Sequence, residues 1–115
     1  MEKLHKIKKS KQGGFVIFSV TDALVGETAS DFQNLFSESL EKGEAKIILD
    51  LSLVPFIDSM SLEMIQEMHK ESQKKNGGMK IANPSEICTD IFYSTRMANS
   101  LDIYPDVESA RRSFL

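Results

Sequence analysis

The chain has 115 residues and a mass of 12.9 kDa, which fits one domain with a modest buried core. Hydrophobic residues make up 41% of the sequence and charged residues 27%, proportions that are ordinary for a soluble globular protein. The formal net charge of -3 argues against a general nucleic-acid binder, because such proteins usually need a basic face.

Membrane insertion, export and metal binding are also not expected. No apolar run approaches the ~18 residues that a membrane-spanning helix needs. The Lys-rich start is not followed by an apolar segment that ends in small residues, as a signal peptide would be. Cys88 is the only cysteine, which excludes an internal disulfide and cannot form a zinc site alone. We therefore expect a cytoplasmic protein with no cofactor and no bound metal.

The first predicted element is a β-hairpin over residues 4–20. Apolar and basic residues alternate over residues 4–10, as in a strand with one face in water. Residues 12–14, Gln-Gly-Gly, have turn chemistry, and residues 15–20 are rich in aromatic and β-branched side chains. Because lysines are common on exposed sheet edges, we expect the first strand to lie at the edge of a sheet.

A helix is predicted after the hairpin. Thr28 lies three residues before Asp31, which is close to a capping box. Gly43 is typical of the residue that ends a helix. Four apolar residues at helical spacing form the expected inner face: Phe32, Leu35, Phe36 and Leu40.

The central part of the chain predicts a buried strand followed by a second helix. Residues 45–54 form a nearly continuous β-favouring run, as in a strand covered on both faces. Pro55 cannot donate to a strand ladder, so the strand is expected to extend to Val54 and stop there. The second helix is expected to end at residues 76–78. Its helical spacing is carried by Leu62, Ile65, Met68 and His69.

The last third predicts a strand, a helix, a strand and a final helix. Residues 79–82 form a short strand, and Asn-Pro-Ser at residues 83–85 is a helix-start signal. Asp106 is placed to cap the final helix. The remaining pattern residues are Ile87, Ile91 and Phe92 in the third helix, Leu101, Ile103 and Tyr104 in the last strand, and Val107, Ala110 and Phe114 in the final helix.

The predicted order is β-β-α-β-α-β-α-β-α in a single domain over residues 1–115. After an opening hairpin, alternating strands and helices favour an α/β fold with a mixed, largely parallel sheet and helices packed against it. In open sheets of this kind, functional groups gather just past the carboxyl ends of the strands.

Asp58 and Ser59 fall at such a position, between the buried strand and the second helix. Phe56 and Ile57, just before them, are expected to anchor the loop in the core. One interpretation is structural, since Asp and Ser are both preferred helix caps. The other is that Ser59 accepts a phosphoryl group, because a helix N-terminus tolerates an added anion. Spacing alone leaves both open.

A family resemblance adds to this interpretation. The segment KIILDLSLVPFIDSMSLEMI, residues 46–65, resembles the signature of the STAS domain, particularly of the anti-sigma factor antagonists. The family pattern is an apolar strand ending in Asp-Leu-Ser, a Val-x-Phe-Ile-Asp-Ser loop and a helix that opens with Leu. The segments GGMKIANPS and LDIYPDVESA are similar to later parts of the family pattern, and the likeness is weakest before residue 28.

The resemblance implies a phosphorylation-switched binding protein rather than an enzyme. In the family, the unphosphorylated antagonist binds an anti-sigma factor that is a serine kinase of the histidine-kinase-like ATPase type. That kinase phosphorylates the serine after the Asp, and a PP2C-type phosphatase removes the phosphate. Carried over, the acceptor is Ser59, with Asp58 beside it, and the chain makes no direct contact with nucleic acid.

Two positions differ from the family pattern, where a small Ser or Thr and then Gly are usual. Met60 and Ser61 stand there, and Ser61 becomes a second candidate acceptor. Met60, Met64 and Met68 share one helical stripe, for which core packing and a partner surface both remain open. The expected partner-binding residues are Asp58, Ser59, Met60, Ser61 and Met64. The alternative function is a non-phosphorylated STAS scaffold subunit, for example of a lipid-transport ABC system.

The remaining chemistry-bearing residues are expected to be structural. His5 and His69 lack metal-ligand spacing and are assigned to the surface or to a helix face. Cys88 has no histidine placed to activate it and is assigned to the core or its boundary. No phosphate-binding glycine loop or nucleophile–base pair indicates an enzyme.

Overall fold

The structure, a computed structural model, describes residues 6–115. Five strands form one sheet in the order β1-β2-β3-β4-β5, in which β1 is antiparallel to β2 and all other pairs are parallel. The predicted element order and the mixed, largely parallel sheet are confirmed. The elements are β1 Ile7–Gln12, β2 Phe15–Val20, α1 Gly26–Glu41, β3 Lys46–Asp50, α2 Ser59–Lys74, β4 Gly78–Ala82, α3 Glu86–Ser94, a 3₁₀ turn Met97–Asn99, β5 Asp102–Tyr104 and α4 Val107–Arg112.

The two faces of the sheet are covered unequally. One face carries the main core, in which α1, α2 and α3 pack on β2, β3 and β4. Phe18 of β2 meets Phe32 of α1 edge to face, with ring centroids 5.3 Å apart. The other face carries a small cluster under α4, where Ala110 packs with Ile17 and Ile48. Successive side chains of a strand point to opposite faces of the sheet, so the same strands contribute residues to both clusters.

The opening hairpin is confirmed, and β1 forms one edge of the sheet. Lys9 Nζ and Lys11 Nζ each lie 2.9 Å from a carboxylate oxygen of Glu44, in the connection between α1 and β3. Hydrogen bonds from these two lysines lower the pKa of Glu44 to about 2. The predicted start of the hairpin at residue 4, and His5, lie outside the described residues.

The capping box expected at Thr28 is wrong. Helix α1 begins two residues earlier, at Gly26, and its N-cap residue Val25 makes no side-chain capping hydrogen bond. Thr28 already lies in the first turn and is buried, so its side chain faces the protein interior. The end of the helix was predicted well, since Gly43 follows with a positive φ of 82°.

Strand β3 ends at Asp50 and not at Val54 as expected. A side-chain oxygen of Asp50 accepts a 3.0 Å hydrogen bond from the backbone N–H of Ser52, and the N–H of Val54 donates to the carbonyl of Leu51 at 3.1 Å. These bonds form a turn. Leu51 and Val54 are nevertheless fully buried, so the apolar run in the sequence reflects loop residues packed in the core.

Two side chains face differently from their predictions. Ile87 was assigned to the inner face of α3 but is 55% exposed, because the helix turns Cys88 and Phe92 into the core. His69 lies on the inner face of α2 and is buried, so the surface position considered for it is wrong. Its Nδ1 accepts a 3.1 Å hydrogen bond from the backbone N–H of Met79. The core assignment of Cys88 is confirmed.

Candidate functional site

The loop between β3 and α2 is held on one side by the segment before α1. The backbone N–H of Leu24 donates to the carbonyl of Phe56 at 2.9 Å, and the N–H of Asp58 donates to the carbonyl of Leu24 at 3.4 Å. Leu24 and Ile57 thereby form an isolated parallel bridge. After the turn that follows β3, a single parallel bridge therefore holds the loop directly before α2.

On its other side the same loop contacts the start of α3. Ser85 Oγ donates a 2.8 Å hydrogen bond to the carbonyl oxygen of Val54. With a contact to a neighbouring segment on each side, the loop presents the N-terminus of α2 in a defined position. This is the placement that the strand–helix junction predicted for Asp58 and Ser59.

Asp58 is the N-cap of α2. One of its carboxylate oxygens accepts a 2.9 Å hydrogen bond from the backbone N–H of Ser61, and its own backbone is extended. Hydrogen bonds from the side chain and then the backbone of Ser61 lower the pKa of Asp58. The carboxylate is therefore ionised at neutral pH and committed to the cap.

The two candidate serines have different environments. Ser59 is the first residue of α2 and is exposed, and its hydroxyl has no hydrogen-bond partner in the part of the chain that the structure describes. Ser61 is only 3% exposed, and its backbone N–H donates to Asp58 at 2.9 Å. An enzyme approaching from solvent can reach the first hydroxyl but not the second without unfolding the helix start.

An open groove of about 600 Å³ runs beside Ser59 between the start of α1 and the outer face of α2. Its wall contains apolar side chains and three carboxylates, while no Lys or Arg of the described residues lines it. An anion added here would have no Lys or Arg from residues 6–115 beside it in the groove. The lining residues are Gly26, Ala29, Ser30, Gln33, Asp58, Met60, Ser61, Glu63, Met64 and Glu67.

The methionine stripe of α2 passes from solvent into the core. Met60 is 78% exposed, Met64 is partly buried in the groove wall and Met68 is 3% exposed. Core packing is therefore confirmed for Met68, while the partner-surface role stays a prediction for Met60 and Met64. Of the expected partner-binding residues, Asp58, Met60, Ser61 and Met64 all line the groove, and Ser59 lies directly between two of them in sequence.

Sequence reasoning missed two exposed apolar residues in the loop before Ser59. Phe56 was expected to anchor the loop but is 47% exposed, and only Ile57 is buried. Leu53 is 65% exposed in the same loop. An apolar residue in a loop gives no sequence signal of whether it faces inward or outward, so these two positions required the structure.

The described part of the chain contains neither the side-chain cluster of a metal site nor a membrane-spanning helix. Within residues 6–115, no cluster of three or more His, Cys, Asp or Glu side chains has the arrangement of a metal site. No helix in this range combines the length and apolar character needed to cross a membrane.

Residues 6–110 match the model of the STAS domain family. A protein of Thermotoga maritima, named as a candidate anti-sigma factor antagonist, is 33% identical over 76 residues, which are 66% of this chain and 67% of that protein. A crystal structure of a candidate anti-sigma factor antagonist from the same species superposes with a TM-score of 0.88 at 29% identity, covering 96% of this chain and 95% of that one.

More distant structures share the fold. The anti-sigma factor antagonist SpoIIAA in its unphosphorylated form superposes with a TM-score of 0.78 at 16% identity, covering 93% of this chain and 95% of that one. A structure of SpoIIAA from Bacillus in the phosphorylated form gives a TM-score of 0.72 at 16% identity, covering 93% and 98%.

Proposed function

This chain belongs to the STAS domain family, and we propose that it is an anti-sigma factor antagonist whose binding is switched by phosphorylation of Ser59. The observation that carries the proposal is the contrast between two hydroxyls at the start of α2. Ser59 is exposed and unpaired within the described chain, whereas Ser61 is buried against Asp58. The Thermotoga maritima relative supports the antagonist role by its name.

Phosphorylation at Ser59 would change the surface without requiring a new fold. A phosphate adds about -1.5 to -2 charges and lies at a helix N-terminus, where the partial positive charge favours an anion. No Lys or Arg of the described residues lines the adjacent groove, so this charge is not neutralised there. SpoIIAA, with the same fold, exists in a phosphorylated form, which supports a fold compatible with the modification.

Phosphorylation of Ser59 would exclude the partner, because docking would then have to desolvate the phosphate and overcome charge repulsion. Met60, next to Ser59, is 78% exposed and offers an apolar contact to a bound protein. A partner packed on Met60 would have to bury a phosphate dianion beside Asp58, and burying an unpaired charge is costly. Docking therefore favours the unphosphorylated protein.

The chain itself supplies no catalysis in this scheme. Asp58, the nearest carboxylate in sequence to Ser59, is occupied in capping α2 and its pKa is lowered, so it is a poor proton acceptor. Kinase activity and ATP would come from the partner, a serine-kinase anti-sigma factor of the histidine-kinase-like ATPase type. A PP2C-type phosphatase would restore the hydroxyl.

A scaffold function is the second candidate. Leu53 and Phe56 in the loop before Ser59 and Met60 after it are 65%, 47% and 78% exposed, and exposed apolar side chains also suit a permanent contact. A STAS subunit held on the ATPase of a lipid-transport ABC system would use it without phosphorylation. In that case Ser59 would be only a solvent-exposed residue at a helix start.

Phosphorylation by the cognate kinase separates the two functions. With ATP, the parent protein should gain a single phosphate on the peptide that contains Ser59, as measured by mass spectrometry. Ser59→Ala should abolish the gain, while Ser61→Ala, the matched control two residues away, should retain it. Phosphate on any other residue, or equal modification of the Ser59→Ala variant, would exclude Ser59 as the acceptor.

A further inference from the structure

The carbonyl oxygen of Val54 accepts hydrogen bonds from two side chains at the start of α3, those of the N-cap Ser85 and of Cys88. Ser85 Oγ lies 2.8 Å from it and Cys88 Sγ lies 3.3 Å from it. Val54 is fully buried, so water is excluded from its side chain and the loop turns inward at this point. A buried carbonyl that lost both donors would be left unsatisfied, which is costly.

The Ser85 hydroxyl makes two hydrogen bonds with different partners. It donates to the Val54 carbonyl and accepts a 3.3 Å hydrogen bond from the backbone N–H of Cys88, which makes Ser85 the N-cap of α3. A hydroxyl has one proton to donate and lone pairs to accept, so the two roles are compatible. A single oxygen atom thus joins the loop before Ser59 to the first turn of another helix.

Cys88 supports the same contact. Burial raises the pKa of its thiol, so the sulfur keeps its proton at neutral pH and can donate to Val54. Thiols are weak donors, which leaves Ser85 as the stronger of the two contacts.

The two sides of the loop are therefore held by different means. Leu24 fixes Phe56 and Asp58 through backbone hydrogen bonds, which any sequence could make. Val54, which follows the exposed Leu53, is fixed by side chains and so depends on which residue stands at position 85.

We propose that Ser85 is a positioning residue for the Ser59 site, holding through the Val54 carbonyl the loop on which the partner docks. The proposal rests on the proposed function, because docking and phosphorylation are the events that this geometry would serve. The hydrogen bonds of Ser85 go to Val54 and Cys88 and not to Ser59. Ser85 therefore acts on the loop that carries the exposed Leu53 and Phe56 and leads into α2 at Ser59.

Three substitutions separate the donating role from the capping role. Ser85→Ala removes both. Ser85→Asp keeps an acceptor for the Cys88 N–H but has no proton for the Val54 carbonyl at neutral pH. Ser85→Thr keeps both. Asp106→Ala is the matched control, because it removes the side-chain cap of α4 on the opposite face of the sheet.

The first measurement is amide hydrogen exchange of Ser52 and Val54, whose N–H groups bond to Asp50 and Leu51. We expect exchange to rise about tenfold in Ser85→Ala and Ser85→Asp, as expected for losing one buried hydrogen bond. Ser85→Thr and Asp106→Ala should match the parent. If the exchange rates in Ser85→Asp equalled those of the parent, the proposal that Ser85 holds the loop through the Val54 carbonyl would be overturned.

The second measurement is phosphorylation kinetics with the cognate kinase. Ser85→Asp should raise the KM of the protein substrate about three- to tenfold with little change in kcat, and Ser85→Thr should restore it. Faster exchange with an unchanged KM would refute the positioning role. If the parent accepts no phosphate on Ser59, the proposed function fails, and the exchange data still decide whether Ser85 holds the loop.

Discussion

The starts of α2 and α4 use the same local cap but carry different side chains beyond it. Asp58 accepts from the N–H of Ser61 at 2.9 Å, and Asp106 accepts from the N–H of Ser109 at 2.7 Å. In both cases the hydrogen bonds lower the pKa of the Asp. The Asp-x-x-Ser pattern therefore serves helix initiation in both places.

The two residues inside each pattern differ. In α4 they are Val107, which packs in the small core under the helix, and Glu108, which pairs with Arg111 at 2.6 Å. In α2 they are Ser59 and Met60, both exposed, and the first turn has no acidic residue. Because α4 shows that the cap does not need an exposed Ser-Met pair, that pair in α2 is available for a partner.

The largest expected effect is on partner binding, and it tests whether a charge at Ser59 acts differently from a charge elsewhere on the surface. Ser59→Asp should weaken binding of the anti-sigma kinase by roughly 2–4 kcal/mol, because a charge is buried at the contact. Ser37→Asp, an equal charge on an exposed residue of α1 outside the groove, should bind like the parent. Titration calorimetry measures both, and parent-like binding of Ser59→Asp favours the scaffold function.

Removing the caps tests whether the two helix starts are equivalent in stability. Asp58→Ala and Asp106→Ala should each lower Tm by roughly 4 °C, since each leaves the first turn without its acceptor. Thermal unfolding followed by circular dichroism measures this. A much larger loss for Asp58 would show that its carboxylate has a structural role beyond the cap.

A second difference between the two helices is that α2 contains His69 whereas α4 has no histidine. Mild acid should therefore lower the stability of the fold through α2. Burial lowers the pKa of His69 first of all; Asp102 raises it and Lys80 lowers it. The unfolded chain, with a His pKa of about 6.5, then binds more protons than the folded one. Stability should fall as pH drops below about 6.5 and level off once the pH is below the folded pKa.

A variant isolates the contribution of that histidine. His69→Gln keeps a neutral acceptor that can reach the Met79 N–H, so it should flatten the loss of stability between pH 6.5 and 5 in urea unfolding. An unchanged pH dependence would assign the loss to other groups. The Asp caps act in a lower range: their pKa values are lowered in the folded protein, so the stability they contribute is lost only as the pH falls below the unfolded Asp pKa of about 3.9.

The smallest expected effect comes from making α2 resemble α4. Met60→Glu adds a carboxylate in the first turn and should stabilise the fold by about 0.3–0.5 kcal/mol through the helix dipole. The same change removes an exposed apolar side chain and should weaken partner binding. A variant that is more stable and binds equally well would remove Met60 from the docking surface.

Sequence periodicity predicted the fold because the main elements bury a regular apolar pattern. The order of strands and helices, the edge hairpin, the helix start at residues 83–85 and the cap at Asp106 were all recognisable. The errors arose where tertiary packing outweighs local pattern. Val54 is buried in a turn rather than a strand, and Ile87 is exposed because the cap of α3 turns Cys88 inward.

The candidate site was only partly predictable. The strand–helix junction located Asp58 and Ser59, but the assignment of the cap to Asp58 alone required the hydrogen bonds. Nothing in the local sequence distinguishes an exposed Ser59 from a buried Ser61. Likewise, the bond from Ser85 to Val54 joins residues that are 31 positions apart, a contact that no short-range pattern reports.

The burial of Ser61 behind Asp58 limits the information that the proposed switch can carry. With one of the two candidate hydroxyls withdrawn from solvent, each molecule would have two states, unmodified and singly modified, and no doubly modified form. The response of a cell would then follow the fraction of molecules in each state, set by the relative rates of the enzymes that write and erase the mark.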